Sequence, residues 1–365
     1  LISRLLSHDL PRSRWLAVAL VVVVLGLALA PFIFPGSKAL GAAAKMLVFI
    51  VLVASYDLLL GYTGIVSFAH TMFFGIGAYG VAIASTRLGA GWQAVAVGLA
   101  LALGVSLVLS LLIGLFSLRV KAIFYAMITL AVATAFQTLA SQLSDLTGGE
   151  DGLSFKTPEG LSPSFEPLAE WVGLGQSILG RTVDGKLLCY YLLFGAAVVL
   201  FLLLLRIVNS PFGRVLQAIR ENDFRAEALG LRTVVYRTLS NVIAALFATV
   251  AGALLALWLR YTGPDTTLSF EIMLDILLIV VIGGMGTMYG SVLGSVIFVL
   301  AQNYLQDVLK LGAGALEGVP LLGALVSPDR WLLWLGVLFV LSVYHLPTGI
   351  VGRLRASLPG RSARA

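Results

Sequence analysis

Long apolar runs separated by short polar turns set the rhythm of this chain. Runs of the 17–25 or so residues a helix needs to cross a bilayer fall at roughly 15–34, 40–60, 65–86, 92–116, 122–141, 188–207, 238–259, 270–284, 288–309 and 331–346, the eighth and tenth being short. The pattern predicts an all-α integral membrane protein with about ten transmembrane helices. Arg4, Arg12 and Arg14 precede the first run, and Ala28-Leu29-Ala30 within it resembles a signal-peptide cleavage site. Pro31 follows directly and the run continues to Phe34, so it is read as a retained first span.

The polar breaks are less uniform than the runs. The longest island of regular charge is 210–237, with Arg214, Arg220, Arg225, Arg232 and Arg237 among Glu221, Asp223 and Glu227. Ser210-Pro211 is a helix-start signal and Gly230 a stop. Val215, Ile219, Asn222, Ala226 and Leu229 recur at helical spacing and form one mostly apolar stripe. An amphipathic helix of about 17 residues and roughly 25 Å is expected, with Asn222-Asp223 able to divide it in two. Acids and bases alternate on its polar face, unlike the basic face of a helix lying on a membrane. A passive connector rarely carries so much start and stop chemistry. The stripe therefore reads as an anchor for a groove on a soluble partner.

Composition agrees with the membrane reading. The chain has 365 residues, 59% hydrophobic and 12% charged, with mean hydropathy +1.00; soluble domains hold roughly 25% charged residues. The net charge of +6 is not a nucleic-acid footprint. Threading from a cytoplasmic N-terminus gathers the arginines of 4–14, 206–237 and 353–364 on the cytoplasmic side, as basic loops prefer. This gives a cytoplasmic tail at 1–14, one transmembrane domain at 15–346 and a basic cytoplasmic tail at 347–365. Within the domain, 208–237 is a cytoplasmic loop and 142–187 an external one. Pro158, Pro163 and Pro167 oppose a long helix in the external loop, although 168–174 suits a short one. Lid, docking surface and simple tether are all open readings for it.

Small residues mark packing seams. Gly286, Gly290 and Gly294 form a double G-x-x-x-G, and Ser106, Ser110 and Gly114 repeat the spacing, within this chain or toward another. Glycine clusters also interrupt two spans, at Gly61 and Gly64 and at Gly283 and Gly284. The threading favours tight turns for both; irregular backbone along a transport path is the alternative.

Ionisable groups within apolar runs cost at least about 2.5–3.5 kcal/mol at the bilayer centre, so they usually face a bundle interior or cavity. Here they are Asp57, beside Tyr56, then His70, near Ser67, and Glu271 with Asp275. A hydrogen bond across helices is the favoured reading of His70, a substrate contact the other. Glu271 and Asp275 share a helical face and read either as a polar seam or as a cation-attracting site.

Enzyme signals are missing. The three histidines, His8, His70 and His345, make no zinc motif, and no G-x-S-x-G elbow is present. Residues 180–186 follow the phosphate-loop pattern until Leu187 replaces the Ser or Thr that would hold magnesium. ATP binding by that route is not expected. Cys189 alone supports neither a disulfide nor a multi-cysteine metal site.

Several stretches together resemble one family. SPFGRVLQAIREND with Ala226, Glu227, Ala228 and Gly230 is similar to the coupling loop by which permease subunits of ATP-binding-cassette importers engage their ATPase. LLLGYTG at 58–64 with Ser67 and His70, FFGIGAY at 73–79, TGGEDGL at 147–153, VVIGGMGT at 280–287 and LPTGI at 346–350 resemble the branched-chain amino acid permeases of LivM type. The resemblance covers roughly 40–352. Asp57 stands where the family usually has a neutral amide, Asp275 where glutamate is common, and Glu150 where a small polar residue is usual.

The resemblance implies a type II importer-like bundle in a bacterial inner membrane, a non-catalytic half of a pore. Its implied partners are a homologous permease subunit, two cytoplasmic ATPase subunits carrying the ATP and magnesium, and an external amino acid binding protein. It further implies an ATPase contact at Arg214, Arg220, Glu221, Asp223, Glu227 and Gly230. Substrate-path candidates are Tyr56, Asp57, Gly61, Gly64, Ser67, His70, Asp275, Gly283 and Gly284. Urea and short-amide permeases share much of the pattern. An ion-coupled transporter using Asp57, His70, Glu271 and Asp275 is the rival from another class.

Overall fold

Each of the ten expected runs contains a long helix, although the first residues of the third, 65–69, are not helical. The computed structural model describes residues 13–34, 36–117, 122–165, 177–178, 181–182, 184–315, 330–346 and 348–356. Expectations placed on Arg4, Arg12, Pro167, the 168–174 helix, Pro347 and the end of the basic tail lie outside them. The main helices are α1 (Arg14–Ile33), α2 (Ser37–Asp57), α3 (His70–Leu88), α4 (Trp92–Ser117), α5 (Ala122–Gln142) and α6 (Gly185–Val208). Next come the short α7 (Pro211–Glu221) and α8 (Asp223–Ala228), then α9 (Thr233–Leu259), α10 (Phe270–Gly283), α11 (Met288–Ala315), α12 (Trp331–His345) and α13 (Gly349–Ala356).

Among the described residues, nine helical segments are long and apolar enough to cross a membrane. The tenth expected span, α3, falls short in composition rather than in length. It has 19 residues, including His70, Thr71 and Arg87, and packs between α4 and α9. A helix ringed by other helices need not match lipid. At the other extreme, α1 turns Trp15, Val18, Val22 and Leu25 away from the bundle as an exposed apolar face.

The core is built around α2, which is buried almost throughout and packs on α6, α9, α10 and α11. Small and hydroxylated residues bring the helices close. Thr249 Oγ1 donates to Ser106 Oγ at 2.6 Å, and Asn241 Nδ2 donates to the Ser110 carbonyl at 2.9 Å. Gly114 lies against Thr238, so the small stripe of α4 is a seam with α9. Gly290 backs onto Gly283 and Gly294 onto Ile279, which makes the double G-x-x-x-G a seam between α10 and α11 of the same chain.

Pro31 sits inside α1 without breaking it. Its missing N–H leaves the Leu27 carbonyl without the usual helical donor, and Tyr190 Oη of α6 donates there at 2.5 Å. Asp184 caps α6 by accepting from Leu187 N at 3.1 Å, so the residues that completed the phosphate-loop pattern open a helix instead. At the end of the bundle where α9 finishes, Leu153–Ser154 pairs antiparallel with Tyr261–Thr262. This ladder fastens the 142–187 connection to the α9–α10 connection.

Candidate functional site

The charged island folds as two helices. Asn222 is extended, with φ −158° and ψ 104°, and its Oδ1 accepts from Arg225 N at 2.9 Å as the cap of α8. Gly230, at φ +85°, stops α8. Gly230 N bonds the Glu227 carbonyl at 2.8 Å and Leu231 N the Ala226 carbonyl at 3.2 Å, the paired closure of a glycine-terminated helix. Ser210 does not cap α7; its hydroxyl donates back to the Ile207 carbonyl at 2.6 Å.

The apolar stripe expected from the sequence is divided between the bundle and open surface. Gly213, Leu216 and Ile219 of α7 are buried, and Leu216 packs with Leu58, Tyr62, Leu204, Val208 and Met288 of the bundle. Of the expected stripe, Ile219 and Ala226 are buried within the chain while Asn222 and Leu229 are exposed. Helix α7 is therefore anchored to its own membrane domain, and only the far end of the stripe is open to a partner. Periodicity marks an apolar face but not which body it meets. The apolar surface left free is on α8 and its end, where Phe224 is 87% and Leu229 77% exposed. Asp223 pairs with Arg237 at 3.0 Å, and Glu227 Oε1 accepts from Thr233 Oγ1 at 2.7 Å. Both bonds brace α8 on the start of α9.

Beneath α7 lies a hub of glycine turns. Helix α2 widens at Leu58–Thr63 into a π-helical turn and ends at Gly64, φ +75°. The chain then runs without helix to His70, whose Nε2 lies 2.9 Å from Ser55 Oγ and 3.2 Å from the Leu52 carbonyl. Those partners lie more than two turns back along α2, so 64–69 re-enters the bundle as irregular backbone. This replaces the tight turn favoured from the sequence. Protein groups satisfy the segment: Phe68 N donates to Thr129 Oγ1 at 3.0 Å, and Thr63 Oγ1 meets Ser240 Oγ at 3.0 Å.

The second cluster, between α10 and α11, is a turn and docks on the first. Gly286 N donates to Asp57 Oδ1 at 2.9 Å. Arg220 Nη1 of α7 donates to the Gly61 carbonyl. A Cβ on Gly61 would stand 2.1 Å from Asp57 Oδ1 and 2.3 Å from Gly286 N, so only glycine fits there. Gly286 has φ +77° and lies under Arg220 Nη1. Gly349, at the start of α13, presses on Gly284 from the other side. Gly61, Gln217, Arg220, Glu221 and Gly286 line an open cleft at the junction.

The other sequence candidates sit deeper. Tyr56, Ser67 and His70 are each no more than 1% exposed, and the Tyr56 and His70 rings are 5.2 Å apart. His70 ties α3 to α2, the cross-helix role favoured above. Asp275 lies apart from this group, with its Oδ2 accepting from Gln302 Nε2 at 3.4 Å. Gln302 Oε1 in turn accepts from Lys45 Nζ at 2.7 Å. Lys45 and Gln302 were missed, although Lys45 carries the same signal as Asp57, an ionisable group inside an apolar run. Arg214, Glu221 and Glu227 are exposed on α7 and α8. Among the described residues no cluster of metal-ligating side chains occurs.

A multi-helix membrane bundle with an amphipathic helix seated on a broken span is the build of a multi-pass permease. The chain belongs to the family described as branched-chain amino acid transport system / permease component, whose family model matches residues 38–343. It is 26% identical over 330 residues to the high-affinity branched-chain amino acid transport system permease protein LivM of Salmonella typhimurium, covering 88% of this chain and 72% of the relative. The Escherichia coli LivM protein is 26% identical over 294 residues, 79% of this chain and 68% of that one. A probable LivM permease of Methanocaldococcus jannaschii is 26% identical over 237 residues, 64% of this chain and 61% of that one. No solved structure matches. As a permease component, the chain is one part of a larger transport system.

Proposed function

We propose that this chain is the permease subunit of an ATP-driven importer of branched-chain amino acids in a bacterial inner membrane, non-catalytic in itself. In this reading it forms half the pore with a homologous permease subunit. Two ATPase subunits, which carry the ATP and magnesium, bind at the α7–α8 end. An external binding protein delivers the amino acid at the end that carries the Leu153–Ser154 ladder.

The observation that carries the reading is the Arg220 bridge. A helix whose outer features lie free to a partner is joined by one guanidinium to the carbonyl at the break in the most buried span. Force applied to α8 by a closing ATPase dimer passes through α7 to the 61–64 turn. Through Gly286 and Asp57 it also reaches α10 and α11. A rigid element touching both machines is what such transmission requires.

The test uses three variants of the complete transporter: Phe224→Ala, Glu227→Lys and Gly230→Trp. Phe224 is 87% exposed and Gly230 has open space around it, although its φ of +85° strains any other residue there. Both changes therefore act at α8 and its end rather than in the bundle core; Glu227→Lys also breaks the bond to Thr233. ATP-dependent uptake falls in all three while the amount of membrane-inserted chain is unchanged. Normal uptake in all three at normal expression sinks the assignment.

A further inference from the structure

The outer half of the α2–α11 seam carries charge that the coupling hub does not use. Lys38, on the first turn of α2, pairs with Asp307 of α11 at 2.5 Å and lies 5.3 Å over the Tyr304 ring. Two turns further along α2, Lys45 Nζ donates to Gln302 Oε1, and Gln302 Nε2 donates to Asp275 Oδ2. Lys45 also lies 5.2 Å from the Phe49 ring centre. All three polar side chains are half-buried, within segments that cross the membrane. Measured along the helices, Asp275 is about 12 Å before Gly283 and Lys45 about 24 Å before Gly61. The group therefore lies outward of the glycine hub.

The lysine and the aspartate are not in direct contact. Each holds one end of a neutral amide, with the acceptor end toward Lys45 and the donor end toward Asp275. An α-amino acid presents the same order of groups at its head: a carboxylate that accepts and, one carbon away, an ammonium that donates. It does so with full charge, and charge-assisted hydrogen bonds are roughly twice as strong as neutral ones. Lone ionisable groups at this depth are expensive, and a zwitterion neutralises both at once without adding net charge.

Resting on the functional reading above, we propose that Lys45 and Asp275 form an intramembrane station for the head group of a zwitterionic α-amino acid. Gln302 fills the station between transport events and swings aside when substrate arrives. The ammonium contact excludes branched carboxylates that lack the amino group.

Thiol protection tests this in membrane vesicles carrying the complete transporter. Cys189, the one cysteine of the chain, is replaced by alanine, and Gln302→Cys places a reporter between Lys45 and Asp275. A small water-soluble maleimide labels this cysteine about tenfold more slowly when leucine or valine is supplied with the binding protein and ATP. The deaminated acid, 4-methylpentanoate, gives no protection, and Asp275→Asn in the same background removes the protection by leucine. A cysteine that never reacts, or one equally shielded with and without amino acid, overturns the station.

In the transporter without the cysteine changes, Asp275→Asn lowers leucine uptake about tenfold and Asp275→Glu restores it, at equal amounts of assembled complex. Equal uptake in all three overturns the proposal even if the cysteine variant fails to assemble. Uptake by the unaltered transporter separates the two readings. Its absence defeats the permease assignment, whereas normal uptake with an unprotected cysteine defeats only this station.

Discussion

Asp57 accepts from the Gly286 amide at 2.9 Å, and an asparagine carbonyl can accept at the same place. Asp57→Asn is therefore expected to keep uptake and thermal stability close to the parent. Asp57→Ala leaves the Gly286 amide short of an acceptor, a loss of about 1–3 kcal/mol that lowers the unfolding temperature in detergent. A proton-coupled transporter using Asp57 gives the reverse for asparagine, a folded protein without uptake. Gly61→Ala meets a harder limit, since the new methyl would stand 2.1 Å from Asp57 Oδ1. Overpacking of this kind costs about 1–3 kcal/mol and is read as reduced yield of folded protein.

At this scale the sequence showed which residues were costly but not what they touched. Asp57 and His70 stood out as ionisable groups in oil, yet their partners came from packing. Gln302 gave no signal of its own. It is an ordinary amide until Lys45, 257 positions away in sequence, lies against it.

The α7–α8 pair was the most legible element and also the most misdirected. Proline at the start, the Gly230 stop and the option of a break at Asn222 all rest on local chemistry, and each is present in the structure. Facing is a tertiary property: of the expected stripe Ile219 and Ala226 are buried while Leu229 is exposed, and Leu216, outside that stripe, packs on the chain's own bundle. The break itself can be tested. Asn222→Ala removes the cap on Arg225 N, worth about 1 kcal/mol, and frees the angle between α7 and α8. Uptake should fall with membrane insertion unchanged; unaltered uptake would show that the angle does not matter. Helix α3 taught the opposite lesson, since its dilute composition concealed a central position rather than a surface one.

Across the whole molecule, stretches far apart in sequence meet at one end. The 58–64 turn, α7, the 283–287 turn and the start of α13 converge there. The 147–153 stretch lies at the other end, with Gly152 against the Thr262 carbonyl. Ten apolar runs with basic loops were enough to read the class of protein, because bilayer thickness dictates their length. The convergence was not legible, since nothing local tells a glycine turn which other turn it will meet. The orientation follows as a prediction. With Cys189→Ala as background, a cysteine at Phe224 reacts with an impermeant maleimide only from the cytoplasmic side, and one at Glu150 only from the outside. Labelling of both from one side would reverse the placement of the ATPase.

The energy source is the central claim, and one uptake measurement addresses it. Cells expressing the complete transporter are given labelled leucine, and ATP is depleted in one sample while the proton and sodium gradients are collapsed in another. Uptake is predicted to stop when ATP is removed and to persist without the gradients as long as ATP is maintained. Uptake that survives ATP depletion but is lost with either gradient would contradict the account.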